Sequence, residues 1–250
     1  MTAAFTLPRG RAALWATGTA LTMQGILMVF PAPARAQAPS ADLMARLASN
    51  AARYLSMRTR ASYSIDGRME MLDGEGKANS VKEMKARVEA NGVDAHFVVV
   101  RYVEDGEDKT ADAQKEARKK AQERKSGKEK RLSIPILAEE QPRYVFDQLE
   151  SDPADPDRVR IGFVPKVPKD DTIEGSAWID SRSANLISVG FKISKPPMFV
   201  DFVHVTLEFG APTAIGPAVS RVVADGDGGL LFFRKRFHAT ATLSDYTFTP

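Results

Sequence analysis

The chain has 250 residues, 35 of them Lys or Arg and 32 Asp or Glu, for a formal charge of +3, with 43% hydrophobic residues, 17 Gly and 15 Pro. That is the composition of a globular protein and excludes a collagen-like or wholly disordered chain. The lack of cysteine excludes disulfide frameworks, thiolate metal sites, cysteine nucleophiles and lipid attachment through cysteine.

The excess charge sits at one end. Residues 1–36 contain Arg9, Arg11 and Arg35 and no acid, so the rest of the chain balances acids against bases. The pI of about 9.0 is therefore no argument for nucleic-acid binding. The same stretch has the layout of a secretory signal. Arg9 and Arg11 form a positive start, Ala12 to Phe30 is apolar, Pro31 and Pro33 break the helix, and Ala34-Arg-Ala36 offers small residues before Gln37. Arg9-Gly-Arg11 is not a twin arginine, which favours export of the unfolded chain. The expectation is cleavage after Ala36 and a periplasmic location. Residues 37–250 then form a single domain long enough for a substantial core.

Ser40-Ala-Asp-Leu reads as a helix start with Ser40 as N-cap. Leu43, Leu47, Ala51 and Leu55 recur every four residues, which predicts an amphipathic helix to about Met57. From Ala61 the period shortens to two. Tyr63 to Met71 predicts a strand, Asp73-Gly-Glu-Gly76 a turn, and Val81 to Val88 the returning strand. Val93 to Val103 predicts a third strand, apolar on both faces at Phe97 to Val100 and so expected to be covered on both sides.

Residues 104–131 break the pattern. Ten of these 28 residues are Lys or Arg and eight are Asp or Glu, with acids early and bases late, an order that suits a helix dipole. Ala113, Ala117 and Ala121 give a narrow stripe at helical spacing. The segment is expected to be a charged helical insertion between strands, either a solvated face or a docking arm for an acidic partner or lipid head groups.

After Pro135 the strand pattern returns. Tyr144 to Phe146, Val159 to Phe163, Gly175 to Asp180, Ile187 to Ile193, Val203 to Phe209 and Phe237 to Leu243 each alternate or run apolar, and Asp225-Gly-Asp-Gly-Gly229 reads as a hairpin turn. Short turns between half-apolar strands predict an α+β fold: a curved antiparallel sheet, an open half-barrel, wrapped on the N-terminal helix.

Catalytic signatures are missing. The three histidines, His96, His204 and His238, each stand alone in a strand, without HExxH or HxH spacing, so no metal site is expected. No nucleophile elbow, phosphate loop or dinucleotide fingerprint occurs, so neither catalytic residues nor a cofactor is expected. Trp178 is the aromatic that stands out. Strict alternation from Ile179 turns it away from the apolar set, so it covers a second patch or sits at a strand end beside a cavity mouth.

The order of elements resembles the LolA/LolB-like superfamily of periplasmic lipoprotein carriers. Its most specific part is Ile161-Gly-Phe163, then Gly175-Ser-Ala-Trp-Ile-Asp180, then Leu186-Ile-Ser-Val189. The resemblance implies an apolar cavity between sheet and helix that holds a lipid, a lipoprotein acyl chain or another amphiphile. Residues expected to line it are Leu43 and Leu47 on the helix and Phe191, Val205, Leu207, Phe209 and Trp178 on the sheet. The expected function is a non-enzymatic carrier or sensor. The alternative is a regulatory module that docks an envelope protein through residues 104–131. Peripheral membrane contact fits either, and nucleic acid is not an expected partner.

Overall fold

The structure, a computed structural model, describes residues 37–125, 132–198, 200–230 and 233–249. The expected signal peptide, the end of the charged stretch and the tip of the last hairpin lie outside these residues. Two helices, α1 (Ala41–Ser56) and α2 (Thr110–Lys125), accompany eleven strands: β1 (Ala61–Leu72), β2 (Ala78–Ala90), β3 (Ala95–Glu104), β4 (Glu107–Asp108), β5 (Tyr144–Asp152), β6 (Asp155–Pro165), β7 (Ile173–Asp180), β8 (Asn185–Ile193), β9 (Val200–Ala211), β10 (Ala218–Leu230) and β11 (Phe233–Phe248).

All eleven strands belong to one open, curved antiparallel sheet, in the order β4-β3-β2-β1-β11-β10-β9-β8-β7-β6-β5. The chain enters at the centre. It meanders outward from β1 to β4, passes to the opposite edge, and meanders back from β5 to β11. The last strand then pairs with the first, from Ala61 opposite Phe248 to Leu72 opposite Arg236. The charged segment is thus the connection between the two edges of the sheet and does not join neighbouring strands. Its helix lies along β3, where Ala113 and Ala117 are half-buried and Ala121 is exposed.

Helix α1 begins as its sequence predicts, with the Ser40 Oγ accepting from Leu43 N at 3.2 Å. Leu43 and Leu47 enter a buried cluster with Val159, Ile161, Phe163, Ala177, Ile179 and Leu186. The core therefore lies between α1 and β5–β8.

Three sequence expectations change. Asp225 to Gly229 is not a turn but the end of β10, paired on both sides, with Asp225 opposite His204 and His238. Glycine serves packing here: a Cβ on Gly226 would lie 2.2 Å from the Phe237 ring on β11. β3 is not covered on both sides. It lies next to the sheet edge, and a bulge at Val100, between the pairs Lys85–Arg101 and Ala86–Val99, leaves Val100 61% exposed. In β8 a second bulge, between the pairs Trp178–Ser188 and Ile179–Leu186, buries Leu186 and leaves Ile187 half-buried.

The fit at Gly226 is testable. Gly226→Ala should lower stability in urea unfolding by about 1–3 kcal/mol, the usual cost of overpacking. In a Phe237→Ala background the same substitution should cost far less, because the ring it meets is gone.

Candidate functional site

Helix α1 carries two apolar stripes. One, Leu43 and Leu47, faces the sheet. The other, Ala41, Met44, Ala45, Ala48, Ala52 and Leu55, has the same three- and four-residue spacing but is turned to one side. The helix is fixed against the β7–β8 turn by polar contacts. Asn50 Nδ2 donates to the carbonyls of Ala184 at 2.8 Å and Ser183 at 3.1 Å, and the Arg46 guanidinium donates to those of Arg182 at 2.8 Å and Ser181 at 3.1 Å. At the other end of the helix the Tyr54 hydroxyl donates to the Pro217 carbonyl, and its ring meets Phe209 edge-on with centroids 6.0 Å apart. Burial raises the pKa of that hydroxyl.

The turn that receives Asn50 is itself braced. Ser183 N donates to the Asp180 Oδ1 at 2.8 Å, which holds the Asp180 carboxyl below its ordinary range. This shapes the turn so that Ala184, fully buried, takes a φ of 54°.

A second wall stands across from the side stripe of α1. Leu137, Ala138, Glu139 and Gln141 face it, and the two walls enclose a groove of about 610 Å³. Gln141 joins them, since its Nε2 donates to the carbonyls of Met44 and Ile136, both at 3.1 Å. A polar network anchors this wall to the sheet. The Ser133 hydroxyl donates to the Glu140 carboxylate and accepts from the Tyr144 hydroxyl at 3.1 Å, while Arg143 bridges Glu140 at 2.8 Å and Asp171 at 3.0 Å. The Asp171 and Glu140 carboxylates raise the Arg143 pKa. The groove is thus preformed and mostly apolar, with Ser49 and Gln141 as polar lining and charge only at Glu139.

The structure brings together some of the expected site residues and separates others. Leu43, Leu47, Phe191 and Phe209 meet, but in packed core: Leu47 is 1% exposed. They are supports for the helix and do not line the groove. Val205 and Leu207 share the inner face, opposite Phe191 and Val189, and stay half-buried beyond that cluster, beside Ala224 and Val222. Trp178 lies on the outer face between Arg160 and Ser188, away from the helix. The groove-lining stripe was readable at helical spacing, but alanines gave it little weight beside the leucines. The 137–141 wall had no local signal, since its position depends on contacts with Met44 and Asp171, distant in sequence.

The histidines do not converge. His96 pairs with Glu89 on β2; His204 leans over Gly190, and His238 Nδ1 bonds Asp225 Oδ1 at 2.7 Å. Among the described residues no helix is long and apolar enough to cross a membrane.

No family model matches the chain, and neither does the sequence of any curated protein. Among solved structures it is similar to a domain named for outer membrane lipoprotein sorting from Vibrio parahaemolyticus, at 12% identity and a TM-score of 0.39, covering 82% of this chain and 91% of that one. It is also similar to a LolA superfamily protein from Nitrosomonas europaea, at 8% identity and a TM-score of 0.38, covering 83% and 94%. A further similarity is to Pseudomonas aeruginosa MucB, solved in complex with MucA, at 9% identity and a TM-score of 0.23, covering 81% and 93%. At these identities and TM-scores the likeness assigns no ligand, partner or activity to this chain.

The brace under α1 gives a pH prediction. A carboxyl held below its ordinary range stabilises the fold fully above its unfolded pKa, about 4, and this contribution is lost as pH falls from there through the folded value. Acid unfolding followed by circular dichroism should therefore have a component below about pH 4. Asp180→Asn should make that branch shallower and leave the slope near neutral pH unchanged.

Proposed function

We propose that this chain is a non-enzymatic, exported carrier or sensor of an amphiphile, which lays its apolar chain in the groove beside α1. The observation that carries this is the groove itself. Its volume of about 610 Å³ falls within the roughly 300–1,000 Å³ of small-molecule sites. Its walls are mostly alanine, methionine and leucine, with Ser49, Glu139 and Gln141 as the polar lining, and Gln141 and the Arg143 network hold them in place before any ligand arrives. An acyl chain of about 16 carbons resists water by roughly 13 kcal/mol, at about 0.8 kcal/mol per CH₂. A protein that shields half of it removes about half of that cost.

The inner face of the sheet offers the chain a second resting place. Val205, Leu207, Val222 and Ala224 are half-buried and lie past the cluster that α1 covers. Export to the periplasm, from the signal-like residues 1–36, suits a carrier between two membranes. The empty list of catalytic signatures in the sequence supports binding over chemistry.

Displacement of a fluorescent fatty-acid probe tests the reading. Ala45→Glu adds a charge at an exposed position of the groove wall and should weaken probe binding more than tenfold with little change in stability. Val205→Glu does the same on the inner face, and Thr206→Lys, on the outer face, serves as the control. Loss with Ala45→Glu alone assigns the ligand to the groove. Loss with Val205→Glu alone, in a folded protein, assigns it to the sheet. A wild-type protein that carries no lipid in native mass spectra and binds no probe would overturn the proposal.

A further inference from the structure

The groove beside α1 carries a selectivity that its apolar walls do not supply. Its polar lining is Ser49, Glu139 and Gln141, and the chemistry of these three is one-sided. Gln141 Nε2 uses both of its hydrogens inside the protein, on the Met44 and Ile136 carbonyls, each at 3.1 Å. Two carbonyls also fix which way the amide faces, since only its nitrogen can donate to them. Its Oε1 is left as an acceptor, with no partner among the described residues. The Glu139 side chain accepts and does not donate when ionised. It is exposed, and among the described residues it has no hydrogen bond or ion pair. The Ser49 hydroxyl can turn to accept as well.

Cations stand near in the chain, yet each is engaged elsewhere. Of the two arginines of α1, Arg46 pairs with Asp42 at 2.9 Å and holds the β7–β8 turn, while Arg53 donates to the Asn50 side-chain carbonyl. Arg143 bridges Glu140 and Asp171. Among the described residues no Lys, Arg or His lines the groove.

Such a lining suits a head group that donates hydrogen bonds and carries positive charge. A carboxylate or phosphate head would find acceptors without side-chain cations, beside the like charge of Glu139. A protonated amine has three donors, as in lysine, and Glu139, Gln141 Oε1 and Ser49 are acceptors for them. Its charge is also opposite to the one charge of the lining.

We propose that the amphiphile held beside α1 is cationic, with a protonated amine at the Glu139–Gln141 wall and its apolar chain along Ala45, Ala48 and Ala52. This rests on the groove being the binding site and names the class of ligand it selects.

Calorimetric titration of the protein with dodecylamine, dodecanol and dodecanoate, each below its micelle concentration, tests it. The three share a chain length and differ in head charge. The expected order of affinity is amine, alcohol, carboxylate. Attraction to an exposed carboxylate is worth up to about fivefold, and repulsion about the same, so the amine should exceed the carboxylate by roughly tenfold. The gap should narrow as salt rises. Glu139→Gln should weaken amine binding about fivefold, to the level of the alcohol. Glu139→Lys should reverse the order of amine and carboxylate. Because Glu139 is exposed, both variants should keep the wild-type circular dichroism spectrum. Ala45→Trp, which fills the groove from an exposed position, should weaken all three alike. Equal affinity for the three, tighter binding of dodecanoate, or an amine preference that survives Glu139→Lys would overturn this proposal and leave a carrier of other amphiphiles. Amine binding untouched by Ala45→Trp would put the amine outside the groove and overturn it too. Binding of none of the three would overturn the carrier reading, and this inference with it.

Discussion

Everything in this molecule hangs on the pairing of β1 with β11. The two strands are at opposite ends of the sequence, yet they are neighbours in the centre of the sheet over the full length of β1. The link is sealed at its end, where Thr249 N donates to the Arg60 carbonyl at 2.8 Å. Without it the sheet would be two meanders, β1–β4 and β5–β11, and only the second would have α1 to bury its apolar face. A contact of such long sequence separation forms at a high entropic cost in loop closure. It is stabilised by the row of side chains it completes, including the stack of Tyr63 on Tyr246, whose centroids are 5.0 Å apart. That stack depends on a bulge. Asp245, at a φ of 56°, adds a residue to β11 between the pairs at Ser62 and Ser64, so Tyr246 returns to the face of Tyr63.

Given that sheet, the placing of one helix creates both core and groove. A helix with a single apolar stripe, laid on a sheet, leaves its sides to water. α1 has a second stripe made mostly of alanine. Alanine buries too little area to pull an element over itself, but it leaves space for something thin. The 132–141 segment stands opposite, tied to the sheet through Ser133, Arg143 and Tyr144 and to α1 through the bond from Gln141 to the Met44 carbonyl. The groove is the space these fixed walls leave between them. This is why its shape does not need a ligand to form, and why apolar matter can enter it without first displacing packed side chains.

The two edges of the sheet are treated differently. At β3 the helix α2 covers the strand and carries its charges outward. At β5 the edge meets Gln37 through a single bridge to Gln148 and bears Asp147, Glu150 and Asp152. Both devices oppose edge-to-edge association. The outer face carries cross-strand charge pairs such as Arg68–Glu83, Lys192–Glu174 and His238–Asp225.

The sequence by itself determined the helix start at Ser40, the helical stripe of Leu43 and Leu47, the alternation of most strands and the antiparallel pairing of neighbours. These are local properties, set by periods of 3.6 and 2 and by caps and short turns. It misread Asp225 to Gly229 as a turn, because glycine signals a turn only when no partner side chain needs its space, and the partner, Phe237, is on another strand. It took Phe97 to Val100 for a doubly covered strand and Ile187 to Ile193 for an unbroken alternation, because a bulge is decided by two strands together. It expected the ligand among Leu43, Leu47, Phe191, Val205, Leu207, Phe209 and Trp178, of which Leu43 and Leu47 are buried in the core cluster and Trp178 lies on the outer face. Only the tertiary structure decided that β11 returns to β1, that the charged helix lies along β3, and that a gap remains beside the alanines of α1. Each of these depends on where residues far apart in the chain come to rest, and no local period encodes that.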